Sequence, residues 1–137
     1  MGSAADQLRM GNDELRISVK AGNPIQEKSY AFAVRTVKLC RHLLERKKEF
    51  VISRQLLRSG TSIGANVEEA AGGQSRADFT AKMSIAYKEA RETLYWLRLL
   101  KDTDYLSPRE FDSLFPDADE LCRILSAICT TAKKPAP

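Results

Sequence analysis

The sequence predicts an all-α fold, an up-down-up-down four-helix bundle. Three observations carry this. Four stretches of bundle length repeat apolar residues with a helical period. No segment alternates apolar and polar residues for long enough to be a strand. Short turns marked by proline, paired glycines and capping residues join the stretches, and short connections favour antiparallel neighbours.

Pro24 stands where a helix can begin, because the N–H it lacks would have no partner in a first turn. The first helix is expected over 25–47. Ala33, Val37, Cys40 and Leu44 form one apolar stripe, and Phe32, Leu39 and Leu43 form a second beside it. Together they cover over half the circumference, whereas a one-sided core helix needs only somewhat more than about 100°. This helix is therefore expected to be covered on two sides, by its own bundle and by another subunit. The second helix is expected from near Val51 to near Ala71, with Ile52, Leu56, Ile63, Val67 and Ala70 inward, and Gly72-Gly73 ends it. Ser75 caps the third helix, 76–101, and Asp78 completes a capping box. Its inner line is Phe79, Met83, Ala86, Ala90, Leu94 and Leu97, with Ile85, Trp96 and Leu100 on a second apolar surface. Ser107-Pro108-Arg109-Glu110 supplies a serine cap, a proline at the first helical position and a glutamate at the third. The fourth helix runs to about Thr131, with Phe111, Leu114, Ala118, Leu121, Leu125 and Ile128 inward. The expected organisation is a tail over 1–24 whose Met1-Gly2-Ser3 reads as an expression scar, a bundle domain over 25–131 and a short tail over 132–137.

A chain of 137 residues fits one domain with a real core. No apolar run approaches the roughly 20 residues needed to span a bilayer, and no secretory signal opens the chain, so a cytoplasmic, membrane-free protein is expected. Cys40, Cys122 and Cys129 read as small hydrophobes in a reducing compartment. On one helix, Cys122 and Cys129 would lie about 10 Å apart, beyond disulfide reach.

Enzyme chemistry finds no foothold. The single histidine, His42, falls on a basic wedge of the first helix. There is no phosphate-cradling Gly-x-x-x-x-Gly-Lys loop. Glu68, Glu69, Glu89 and Glu92 lack the Glu-x-x-His motifs of a di-metal bundle, and Glu89 and Glu92 are expected to pair with Lys88, Arg91 or Lys82. No catalytic residue, metal site or cofactor is expected.

The net charge of +4 is unevenly spread, with the first helix basic and the segment 107–131 acidic. Two stripes are candidates for nucleic acid. Lys28, Arg35, Lys38, His42 and Arg46 line the first helix, and Lys88, Arg91, Tyr95 and Arg98 share a face of the third with Ser84. Lysine and arginine meet phosphates, and tyrosine stacks on an unpaired base. A solvated helix face is the plain alternative for each stripe. In a scaffold reading, the basic first helix meets the acidic fourth helix of a neighbouring subunit.

The second helix carries Arg58, Ser59, Gly60, Ser62, Ile63, Gly64, Asn66 and Glu69. A glycine inside a helix costs about 1 kcal/mol relative to alanine, so Gly60 and Gly64 imply a close backbone. Ser59 and Asn66 are expected to bond across that contact to the first or third helix. This string, Gln55-Leu-Leu-Arg-Ser-Gly-Thr-Ser-Ile-Gly-Ala-Asn66 with Glu69, together with Glu27-Lys-Ser-Tyr-Ala-Phe-Ala33, Ser75, Asp78-Phe79 and Glu92-Thr-Leu-Tyr-Trp-Leu-Arg-Leu99, resembles the four-helix bundle proteins encoded in intervening sequences of 23S ribosomal RNA genes. The likeness covers about 25–131. It implies a homopentameric bundle, and kinship with the accessory protein of diversity-generating retroelements, a similar pentamer associated with nucleic acid and a reverse transcriptase. The function expected is a non-enzymatic oligomer that binds RNA or DNA through its basic faces, with a nucleic-acid-processing protein as a further partner. The alternative is a structural or protein-partner scaffold.

Overall fold

A computed structural model describes residues 24–134. Residues 1–23 and 135–137 of the expected tails lie outside the described residues, as does the reading of Met1-Gly2-Ser3. Four helices follow in chain order: α1 (Pro24–Glu45), α2 (Ile52–Ala71), α3 (Arg76–Asp102) and α4 (Pro108–Ala132). Among the described residues there is no strand.

Paired residues show the helix directions. Ser29 meets Gly64 and Thr36 meets Gly60 across α1 and α2. Ser59 bonds Thr93, and Glu69 pairs with Lys82, across α2 and α3. At α3 and α4, Arg76 donates to the Lys134 carbonyl just past the end of α4, and Ser84 lies beside Cys129. In each pair one number rises as the other falls, so consecutive helices run antiparallel. α1 also reaches α4, closing an up-down-up-down bundle, although the α1–α4 contact is the sparsest of the four seams.

The start of α4 forms as its sequence dictates. The Ser107 hydroxyl accepts from the Glu110 N–H at 3.1 Å, and the Glu110 carboxylate accepts from the Ser107 N–H at 2.8 Å. At α3 only half of the expected box is seen, with Ser75 Oγ accepting from the Asp78 N–H. α1 stops at Glu45, two residues before the expected end, where Lys48 takes up a left-handed φ of 56° and the Glu49 N–H turns back to the Leu43 carbonyl.

The core face of α1 differs from either expected stripe. It consists of Ile25, Ser29, Phe32, Thr36, Cys40 and Leu43, while Val37 is 38% exposed and Ala33, Leu39 and Leu44 are half-buried. The reason lies on α2, where Gly60 and Gly64 bring its backbone against α1. Only small side chains fit there, and Ser29 and Thr36 fill the line. Thr36 donates to the Phe32 carbonyl and Ser29 to the Gln26 carbonyl, so neither hydroxyl is buried unpaired. Leu100, expected on the second apolar surface of α3, is fully buried, while Leu94, Phe111 and Ile128, expected inward, are only half-buried. All three cysteines are free, with Cys40 and Cys129 buried and Cys122 half-buried.

Candidate nucleic-acid interface

The two basic stripes have different surroundings. On α1, Lys28 pairs with Glu120 at 2.6 Å, and Arg35 donates to Asp117 at 2.6 Å and to both the carbonyl and the hydroxyl of Ser113. The basic first helix thus meets the acidic fourth helix within one chain, where the scaffold reading placed that contact between subunits. These cations help hold the thin α1–α4 seam. Lys38, His42 and Arg46 remain exposed. Lys38 lines an open groove of about 510 Å³ between α1 and α4, shared with Arg35, Leu39 and Arg109.

On α3 the stripe borders a second open groove, about 580 Å³, whose lining includes Lys88, Arg91, Leu94, Tyr95 and Arg98 and, from α4, Cys122. Lys88, Arg91 and Arg98 have no carboxylate within salt-bridge distance among the described residues. Arg91 sits 5.9 Å from the Tyr87 ring centroid, a cation–π distance. Tyr95 is 52% exposed and stands edge-to-face with Trp96, their centroids 5.0 Å apart. Burial pushes the Cys122 thiol up, only partly offset by Arg91, so it stays protonated near neutral pH as part of the groove floor.

One carboxylate, Glu92, also lines this groove, and its charge is occupied. Arg58 of α2 reaches across α3, giving one guanidinium nitrogen to Glu89 at 3.0 Å and the other to Glu92, and the Trp96 indole N–H donates to the same Glu92 carboxylate at 2.8 Å. Glu89 and Glu92 therefore pair with α2 and not with Lys88, Arg91 or Lys82, as helix spacing suggested. A guanidinium fork holding two carboxylates is a geometry lysine cannot copy. Arg58→Ala should cost only about 1 kcal/mol of stability, because the pairs are half-exposed. It should weaken polyanion binding more clearly, by freeing Glu89 and Glu92 beside the groove. Urea denaturation and a salt-matched binding titration check the two effects separately.

The rest of the α2 set is interior. Ser59, Gly60, Ile63 and Gly64 are buried, and Ser62 and Asn66 are half-buried. Ser59 takes the bond from Thr93 Oγ1 at 2.9 Å, as expected of a cross-helix contact. Asn66 instead donates to the Ser62 carbonyl of its own helix, at 2.8 Å. Glu69 is exposed and pairs with Lys82. The buried members of this string shape a packing seam. Among the described residues, no group of three or more potential metal ligands comes together, and no helix is long and apolar enough to cross a membrane.

Sequence reasoning missed Glu49. It is 7% exposed, and its carboxylate accepts from the N–H groups of Val51, Ile52 and Ser53 at 3.2, 3.0 and 2.6 Å, capping α2 from outside the helix. Its only signal was a glutamate closing the run Lys47-Lys48-Glu49 just before a helix without an acidic first turn.

These features define a class: an all-α, four-helix protein with cation-lined grooves between its helices. The chain belongs to the family of 23S rRNA-intervening sequence proteins, whose model matches residues 23–127. A solved structure from Bacteroides thetaiotaomicron, described as a protein with unknown function from the S23 ribosomal protein family, is 50% identical to it. The match covers 77% of this chain and 95% of that one, with a TM-score of 0.76. No curated protein matches the chain.

Proposed function

We propose that this protein is a non-enzymatic, homo-oligomeric bundle that binds RNA or DNA, with the α3–α4 groove as its main contact surface. The observation that carries the reading is the row Lys88, Arg91 and Arg98, three cations without carboxylate partners among the described residues, beside a glutamate already held by Arg58 and Trp96. Such a surface attracts a polyanion by releasing its counterions. Self-association is supported by the apolar outer face of α1, where Tyr30, Val34 and Val37 are 68%, 37% and 38% exposed, and by Phe50 and Val51 in the turn that follows. A ring of five, the assembly the family likeness implies, repeats the groove and multiplies weak phosphate contacts. A nucleic-acid-processing protein is a further partner in this reading. The three free thiols suit a cytoplasmic location.

Fluorescence anisotropy with labelled RNA and DNA at two salt concentrations tests the reading. Three phosphate contacts in one groove predict a log–log salt slope of about −2 to −3. Lys88→Glu with Arg98→Glu should flatten that slope to about −1 or less and reduce affinity at least tenfold at low salt. Absence of binding at low salt sinks the proposal and leaves the scaffold. Native mass spectrometry with and without nuclease treatment reports the subunit number and any co-purifying nucleic acid.

A further inference from the structure

We infer that the α3–α4 groove takes single-stranded nucleic acid in preference to duplex, with Tyr95 as the platform for one unpaired base. The inference rests on the nucleic-acid reading above and adds the strand state of the ligand.

The Tyr95 ring favours an unpaired base. Half of Tyr95 is open to solvent. Its interplanar angle with Trp96 is 71°, so the indole can cover at most one of its faces. Trp96 is itself held by its bond to Glu92, which gives Tyr95 a fixed neighbour. A base inside a duplex has both faces covered by adjacent base pairs, so an exposed tyrosine face can be used only by an unpaired base.

The charged strip is narrow as well. Lys88, Arg91 and Arg98 lie along one helix over ten residues, about 15 Å at about 1.5 Å per residue. That length matches about four nucleotides of one strand at about 3.4 Å per step. The strip is one helix wide. On its α4 side the groove is lined by Cys122, and Arg123, the α4 cation that acts on that thiol, is paired with Asp119. A single strand needs only the α3 cations. A duplex lays down a second phosphate row, for which α4 offers no unpaired cation beside Cys122 among the described residues. α3 is also flanked by α2 and α4, so it does not project as a helix must to enter the major groove of DNA.

The test uses the full chain and one 20-nucleotide sequence in four forms: single-stranded RNA, single-stranded DNA and the corresponding duplexes. Affinities are read by anisotropy, with Trp96 fluorescence as a second signal. Single strands should bind at least tenfold tighter than duplexes and quench Trp96. Tyr95→Ala should weaken single-strand binding roughly 5- to 150-fold, the effect of losing one stacked base, and leave the salt slope unchanged. Tyr95→Phe should retain the affinity. Equal or tighter duplex binding, or salt-dependent single-strand binding indifferent to Tyr95→Ala, overturns this inference and leaves the nucleic-acid reading standing. No binding to any of the four at low salt overturns both. Circular dichroism establishes that the Tyr95 variants are folded.

Discussion

Gly60→Leu should destabilise the bundle by about 3 kcal/mol, the upper end of the usual overpacking cost, measured as a fall in the urea midpoint. A Cβ at Gly60 would stand 2.7 Å from Thr36 Cγ2 and 2.9 Å from Thr36 Oγ1, closer than such atoms approach. Thr36 is 1% exposed, and its hydroxyl is engaged with the Phe32 carbonyl, so the side chain cannot turn away without leaving a buried donor unpaired. Alanine is the sharper probe, because two effects oppose. Helix propensity favours alanine over glycine by about 1 kcal/mol. The clash with Thr36 outweighs that gain, and Gly60→Ala should cost about 1–2 kcal/mol net. In a Thr36→Ala background both close atoms are gone, and the nearest remaining contact is Thr36 Cβ at 3.3 Å. There the same substitution should become neutral or stabilising, a coupling of about 1–2 kcal/mol in a double-mutant cycle. Equal costs in both backgrounds would show that the seam is not set by this contact. Gly64 follows the same logic against a harder neighbour, since its Cβ would lie 3.3 Å from the Ser29 carbonyl oxygen, which belongs to the backbone.

This seam shows how far the sequence could be read. The helices were legible because their periodicity and end signals are local, and Ser107 to Glu110 form the capping box that their spacing suggests. That Gly60 and Gly64 admit a close backbone was legible too. Which face of α1 receives them was not. α1 is apolar over more than half of its circumference, so its pattern has no single direction, and the buried line is set by size complementarity with α2. A sequence shows hydrophobicity directly but shows which small residue meets which glycine only once register is known. The same limit explains Glu89 and Glu92. Spacing along one helix suggested Lys88, Arg91 or Lys82, while the partner, Arg58, lies on another helix in an antiparallel register. At the candidate site, the stripe Lys88, Arg91, Tyr95 and Arg98 could be read as one face of a helix. Its groove wall on α4, and the neutralisation of Glu92 from α2, are tertiary facts. The loss of Lys28 and Arg35 to intrachain pairs is another.

Glu49→Ala should lower stability at neutral pH by about 2–3 kcal/mol, above the usual range for a helix cap because three N–H groups lose their acceptor together. The turn explains the arrangement. Lys48 in the left-handed region folds the chain back at the end of α1, and the Glu49 carboxylate then lies across the first N–H groups of α2, where the helix dipole also favours negative charge. Burial pushes the Glu49 carboxyl up, but the bonds from Ile52, Ser53 and Val51 outweigh it and hold the group below its ordinary value of 4.5. The sign of the pH effect follows. A carboxyl with a lowered folded pKa stabilises fully above its unfolded pKa, and that contribution disappears as pH falls through the folded value. Glu110 is shifted in the same direction, chiefly by the Ser107 N–H, so it adds to the acid sensitivity of the wild type and is common to both proteins in a comparison at position 49. Glu49→Gln isolates the charge, since the amide keeps the shape and one acceptor oxygen. The stability gap between wild type and Glu49→Gln should be constant from pH 7 to about pH 5 and should close as the pH falls towards 3, where protonated Glu49 resembles the amide. Urea unfolding at pH 7, 5 and 3 measures that gap. A gap that persists or widens in acid would show that the carboxylate is not what caps α2.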